Sequence, residues 1–214
     1  MGPVVPYSCV FAVEFRIADA DQVWPAMQRH RDYLIALGTQ YAVLYRSIEE
    51  AERVLITLGI RTATPLKTLL QSRSLFDWFD AMGIDDIPAM FAGESVERFD
   101  VSPHTAPPTP DVVVAAIAPV DDVDAFVTYV RRSLDQFRAQ TIRKALIYRA
   151  FDNPHEILFI QELARAEVAQ SWLKRSAVAD KWLAEAGMGA YPPLFVGRFE
   201  NMLQLADTAG GAGR

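Results

Sequence analysis

The chain says nearly the same thing twice, and few features constrain a fold more. Setting residue n against residue n+104 brings Ser72, Trp78, Gly83, Pro88, Phe91 and Gly93 onto Ser176, Trp182, Gly187, Pro192, Phe195 and Gly197 without a gap. At an offset of 103, Asp19, Asp21, Asp32, Ala42, Tyr45 and Arg46 fall on Asp122, Asp124, Asp135, Ala145, Tyr148 and Arg149. The repeating unit is roughly 95 to 100 residues, too long for a solenoid repeat and long enough for a small domain. The expected organisation is a first unit at 1–101, a proline-rich linker at 102–111, a second unit at 112–205 and a flexible tail at 206–214. The linker, SPHTAPPTPD, holds four prolines and no apolar periodicity, which makes it a semi-rigid spacer.

Each unit predicts the same order of elements. In the first, Cys9 to Ile17 is a strand rich in β-branched and aromatic residues. A helix follows, with Asp19 or Asp21 as its cap, with Val23, Met27, His30, Leu34 and Leu37 along one face, and with Gly38 placed to stop it. Gln40 to Arg46 and Glu52 to Ile60 form a hairpin around a polar turn. Thr64-Pro65 starts a second helical stretch that runs to Gly83 with a break near Ser72, and Pro88 introduces a short last strand, Ala89 to Gly93. The second unit repeats this from Val112 to Gly197.

A β-α-β-β-α-β unit is the ferredoxin-like arrangement, with both helices on one face of a four-stranded antiparallel sheet. The other face needs covering too, because VVVAAIA (112–118), ILFI (157–160) and VLI (54–56) are continuously apolar, as strands buried on both sides are. The expected fold class is α+β: two ferredoxin-like units whose antiparallel sheets pack on each other into an α/β-barrel within one chain.

Composition narrows the function classes. Hydrophobic residues make up 51% and charged residues 22% of the 214, which suits an ordinary globular core. A formal net charge of −6 argues against a surface that neutralises phosphates, so nucleic acid is not an expected partner. No apolar run reaches the ~18 residues of a membrane span and no signal-peptide pattern opens the chain, so the expectation is a cytoplasmic protein without a membrane partner. The single cysteine, Cys9, reads as a small buried hydrophobe.

The element order, together with the phrase DNPHEILFIQELARAEVAQSWLKRSAVADKWLAEAG from Asp152 to Gly187, resembles the dimeric α/β-barrel superfamily of antibiotic-biosynthesis-monooxygenase-like proteins, here in a tandem fused form. The resemblance implies a ligand cleft between sheet and helices in each unit. Activities known in the superfamily are cofactor-independent monooxygenation of aromatic polyketides, cyclisation, isomerisation and haem degradation. Fold does not choose among them.

His30 lies on the sheet-facing stripe of the first helix, where such a cleft would be, and Ser133 is its counterpart. It is either a general base for a phenol or an acidic C–H, or a histidine satisfied by a neighbouring carbonyl. Tyr45 and Arg46 recur as Tyr148 and Arg149. They are either a proton donor and an anion anchor, or the arginines pair across the hairpins with Glu52 and Glu156. Glu14 and Arg16, replaced by Ile117 and Pro119 in the second unit, read as an inter-sheet pair. Trp78 and Trp182 read as packing residues; Trp24, Trp172, Phe76 and Phe79 line a cleft or fill the core.

No metal is expected, since His30, His104 and His155 fall in a helix, the linker and a turn, without carboxylates or thiols at ligand spacing. No cofactor is expected either. Haem bound as in some relatives would need a histidine near the end of the second helix, and neither 76–83 nor 180–187 holds one. Two functions stay open: a non-catalytic protein that binds a small apolar molecule or a protein partner, or a cofactor-independent monooxygenase or cyclase using His30, Tyr45 and Arg46 on a small aromatic or polyketide-like substrate. Pairing of fused chains into a further homodimer stays open as well.

Overall fold

The computed structural model describes residues 8–84, 87–101, 111–165, 168–169, 177–188 and 193–205. Most of the linker, Trp172 and the tail from 206 lie outside the described residues, and so do the expectations that concern them.

The first half contains β1 (Cys9–Arg16), α1 (Val23–Arg29), α2 (Arg31–Ala36), β2 (Thr39–Ser47), β3 (Arg53–Ile60), α3 (Ala63–Leu70), α4 (Arg73–Ala81) and β4 (Ala89–Asp100). The second contains β5 (Val112–Pro119), α5 (Val123–Arg132), α6 (Leu134–Ala139), β6 (Ile142–Ala150), β7 (Glu156–Leu163), α7 (Ala177–Glu185) and β8 (Leu194–Gln204). All strand pairings are antiparallel, and the strands close into one barrel in the order β1-β3-β2-β8-β5-β7-β6-β4. The two sheets thus face each other across the barrel interior and also join edge to edge.

Joining explains one difference from the sequence reading. The last strand of each half is long, not short: β4 has 12 residues and β8 has 11. The outer part of β4 pairs with β6 of the other half (Arg98↔Leu146, Asp100↔Lys144), and β8 pairs with β2 (Leu203↔Ala42, Met202↔Val43). Bridging the halves in this way satisfies strand edges that would otherwise stay open.

The recurring Phe-x-Gly lies at both seams. Gly93 is opposite Ala150 and Gly197 is opposite Ser47. A Cβ on Gly93 would come within 2.2 Å of the Arg149 carbonyl oxygen, and one on Gly197 within 2.4 Å of the Phe195 ring and 3.0 Å of the Arg46 carbonyl oxygen. At Gly93 a backbone approach that close excludes any side chain, whereas at Gly197 the closest atoms belong to a ring.

The helical stretches are interrupted at equivalent places. The first does not run unbroken through Val23 to Leu37: at His30 the backbone turns to φ −94°, ψ 16°, between α1 and α2. Its counterpart Ser133 separates α5 from α6. Asp19 caps the entry, accepting from the Asp21 N–H at 3.1 Å, and Gly38 ends α2 at φ +75°. Thr62, not Thr64, is the residue before α3, so Pro65 is its third residue, where a missing N–H still costs nothing. Ser72 precedes α4, as the expected break requires.

Three apolar clusters result. Val10, Ala12, Leu55, Phe91, Val113 and Phe195 are among the residues that fill the barrel interior. The other strand faces pack under the helices of their own halves, one cluster containing Phe11, Val13 and Ile56, the other Val114, Ala116 and Phe159. Cys9 is buried in the first of these. Charged residues close the barrel ends: Glu14 pairs with Arg53 at 2.7 Å, and Lys144 with Glu162 at 3.1 Å. Glu14 thus pairs within its own half, and Arg16 meets Glu50 at 2.8 Å.

Candidate functional site

Alternation along the strands and the break at His30 together create a cleft in the first half. Phe11, Val13 and Ile56 form its floor, and Leu34 on α2 and Trp78 on α4 stand at its sides. The cleft is shallow, with a volume of about 70 Å³. His30 and Tyr33 border it, both exposed, and they are the only lining residues besides the Trp78 indole that carry a polar side-chain group. Its wall is therefore apolar almost throughout, and polar chemistry is confined to His30 and Tyr33 on α1–α2.

The same region of the second half is filled. Trp182 stands where Trp78 stands, only 4% exposed, and its indole N–H donates to Ser133 Oγ at 3.0 Å. Its ring stacks on Phe159 at 5.8 Å and 17°, with Phe137 at 5.4 Å. Phe126, Phe137 and Phe159 occupy the repeat positions of Val23, Leu34 and Ile56. Aliphatic residues where the other half has rings leave the space that becomes the cleft. Tyr129, beside Trp182, donates to Glu185 at 2.8 Å, and burial followed by that carboxylate pushes its pKa up to about 12.

Of the three residues singled out from the sequence, only His30 borders this cleft. Tyr45 is buried in the barrel interior, edge-on to Phe199 at 6.3 Å. Arg46, next along the strand, points to the opposite side and pairs with Asp21 at 2.5 Å and Glu200 at 2.6 Å. The hydrogen bond to Asp21 is the main reason its pKa is raised, Glu200 adding to it against the effect of burial. Arg149 pairs with Glu94, which raises its pKa in the same way, so both arginines are ion-paired but not to Glu52 or Glu156. Trp78, Leu75 and Leu69 line the cleft, while Phe79 is buried under Phe15 at 6.3 Å and Phe76 is exposed.

Tyr33 was not singled out from the sequence. No spacing in an unbroken helix marks it; the interruption at His30 is what brings it to the cleft. Among the described residues there is no group of three or more histidine, cysteine or acidic side chains placed to hold a metal ion, and no helix is long and apolar enough to cross a membrane.

No protein-family profile and no curated protein matches the sequence. Solved structures do match. An anthrone oxidase-like protein superposes with a TM-score of 0.71 at 7% identity, over 96% of this chain and 97% of the other. The heme-degrading enzyme of Listeria monocytogenes gives 0.52 at 11% identity, over 90% of this chain and 99% of the other. A ferredoxin-fold protein related to antibiotic biosynthesis monooxygenases, from Listeria monocytogenes 4b F2365, gives 0.50 at 8% identity, over 94% and 99%. Identities this low speak for fold alone. The chain has the dimeric α/β-barrel fold of the antibiotic-biosynthesis-monooxygenase-like proteins, with both halves of the barrel drawn from a single polypeptide.

Proposed function

We propose that the cleft of the first half binds a small, flat, apolar molecule carrying one hydroxyl or acidic C–H, which meets His30 at the mouth. The observation that carries this reading is the asymmetry of the two halves: an open, largely apolar cleft in one, three phenylalanines around Trp182 in the other. Burial of apolar ligand surface supplies the affinity, at about 25 cal/mol per Å² before the cost of association. His30 supplies orientation, through a polar ring at the mouth of an otherwise apolar cleft. Tyr45 and Arg46 are assigned to the frame that holds the strands, not to ligand contact.

Titration with 2-naphthol, followed by tryptophan fluorescence through Trp78, tests this. Saturable quenching is expected in the natural chain and its loss in a Leu34→Phe/Ile56→Phe variant that remains folded. Equal quenching in that variant would overturn the reading.

A second reading, a cofactor-independent monooxygenase or cyclase, is favoured by the superposition on an anthrone oxidase-like protein and by a base at the mouth of an apolar cleft. His30 would take a proton from the activated carbon of the substrate, and the cleft would keep water from the carbanion. With anthrone and dioxygen the products would be anthraquinone and water, so oxygen uptake that depends on His30 is its signature.

A further inference from the structure

One end of the barrel carries two rims related by the repeat, and they differ in charge. On the first rim Arg53, at the inner end of β3, pairs with Glu14 at 2.7 Å and donates to the Leu194 carbonyl oxygen at 3.3 Å. Its guanidinium carbon stands 5.5 Å from the centre of the Phe195 ring. A planar cation over a ring, tied to a carboxylate, is a stable arrangement at such a partly buried place.

On the second rim the ring and its neighbour remain: Phe91 replaces Phe195 and Met90 replaces Leu194. The cation does not remain. Arg53 pairs with Arg16 in the β1–β3 register, and the matching β5–β7 pair is Pro119 with Glu156, so a carboxylate occupies the arginine's position. Glu14 becomes Ile117.

Here the barrel end is open. A cleft of about 460 Å³ is lined by Met90, Phe91, Phe151, Asp152, Glu156 and Lys67, among others. Lys67 holds its ammonium 4.9 Å from the centre of the Phe151 ring, and among the described residues neither Asp152 nor Glu156 has an ion-pair partner. Burial and, second, the charge of Asp152 hold the Glu156 carboxyl above its usual range. Two acids are gathered beside an aromatic ring, and the cleft's one lysine lies over that ring without an ion pair to either of them.

We propose that this second rim binds an organic cation, a guanidinium or a protonated primary amine, with its charge on Glu156 and its body in the cleft beside Met90 and Phe151, at the repeat position that Arg53 takes on the first rim. The site is separate from the cleft beside His30 and does not depend on that cleft's function. Nothing in the arrangement calls for chemistry on the ligand. It is a binding site, and the protein's own arginine shows which shape fits it.

The test uses the full chain, labelled with ¹⁵N, and n-butylguanidinium chloride against matched potassium chloride. A fragment of that size is expected to bind with a Kd of about a millimolar, with saturable shifts at Phe91, Ala92 and Phe151. Glu156→Gln should raise the Kd about tenfold, and Ile117→Glu/Glu156→Arg, which rebuilds the first rim's own pair on the second, should abolish binding. Leu34→Phe, which narrows the other cleft, should leave the Kd unchanged. Glu156→Gln is nearly isosteric and keeps the test valid if the double variant fails to fold. Shifts that do not saturate, or an unchanged Kd in Glu156→Gln, would overturn the proposal.

Discussion

The indole N–H of Trp182 donates to Ser133 Oγ at 3.0 Å, and this one hydrogen bond marks the divergence of two otherwise equivalent half-barrels. At the matching positions of the first half, Trp78 and His30 both line an open cleft. The position that ties down the tryptophan in one half carries, in the other, an exposed imidazole at the mouth of the cleft.

Removing that tie should be costly. Ser133→Ala strands a buried donor, so a loss of about 1–3 kcal/mol is expected, read by urea unfolding, together with a shifted Trp182 emission. Ser133→Thr, which keeps the hydroxyl, should recover part of it. A neutral Ser133→Ala would show that the indole finds another acceptor.

Filling the first cleft should stabilise it. Leu34→Phe/Ile56→Phe puts the second half's rings where the first half has space, and a rise in Tm of about 2–4 °C corresponds to the ~1 kcal/mol that such filling commonly returns. A fall in Tm would mean that the cleft cannot accept the rings without strain.

The seam glycines should not tolerate a methyl group equally. Gly93→Ala sets a Cβ against the backbone oxygen of Arg149, whereas in Gly197→Ala the nearest atoms belong to the Phe195 ring, which can turn. Gly93→Ala is expected to cost at least ~2 kcal/mol and Gly197→Ala less, with chemical denaturation as the measurement. The reverse order would place the tighter seam at β2–β8.

Glu156 gives a pH dependence whose sign is fixed. Its carboxyl is harder to ionise in the folded chain than in the unfolded one, because of burial first and Asp152 second. The folded state therefore holds the proton more tightly. Its ionisation weakens folding fully above the raised pKa and not at all below the ordinary value of 4.5. Glu156→Gln should accordingly raise Tm at pH 7 by about 1–2 °C, and the gain should vanish as the pH falls below the ordinary carboxylate range. A constant difference from pH 7 to pH 3, followed by calorimetry, would remove Glu156 as the cause.

Much of the architecture was legible in the sequence, because it rests on short-range signals. The repeat, the apolar runs on β3, β5 and β7, the break at Ser72 and the stop at Gly38 each report a local requirement of the backbone or of burial. The length of β4 was not legible, because residues such as Arg98 and Asp100 gain their strand partners only from β6 of the other half. Nor was the identity of the ion pairs: Arg46 has a carboxylate six residues ahead at Glu52 but meets Glu200 from the far end of the chain.

The candidate site was legible only at His30, whose helical spacing puts it beside Met27 and Leu34. Grouping it with Tyr45 and Arg46 relied on their recurrence in both halves. Period-two alternation on β2 sends those two neighbours to opposite faces, Tyr45 inward and Arg46 outward. Tyr33 escaped because an unbroken helix would turn it from the apolar stripe, and the interruption at His30 changes which residues look into the cleft.

Joining β4 to β6 and β8 to β2 within one polypeptide makes barrel closure unimolecular, so dilution does not open it as it would a pair of separate subunits. It also lifts the obligation of self-complementarity, since neither half has to match a copy of itself. The contrast at one barrel end records that freedom: the ring of Tyr41 lies against Gly59 in one half, and Lys144 meets Glu162 at the equivalent positions of the other.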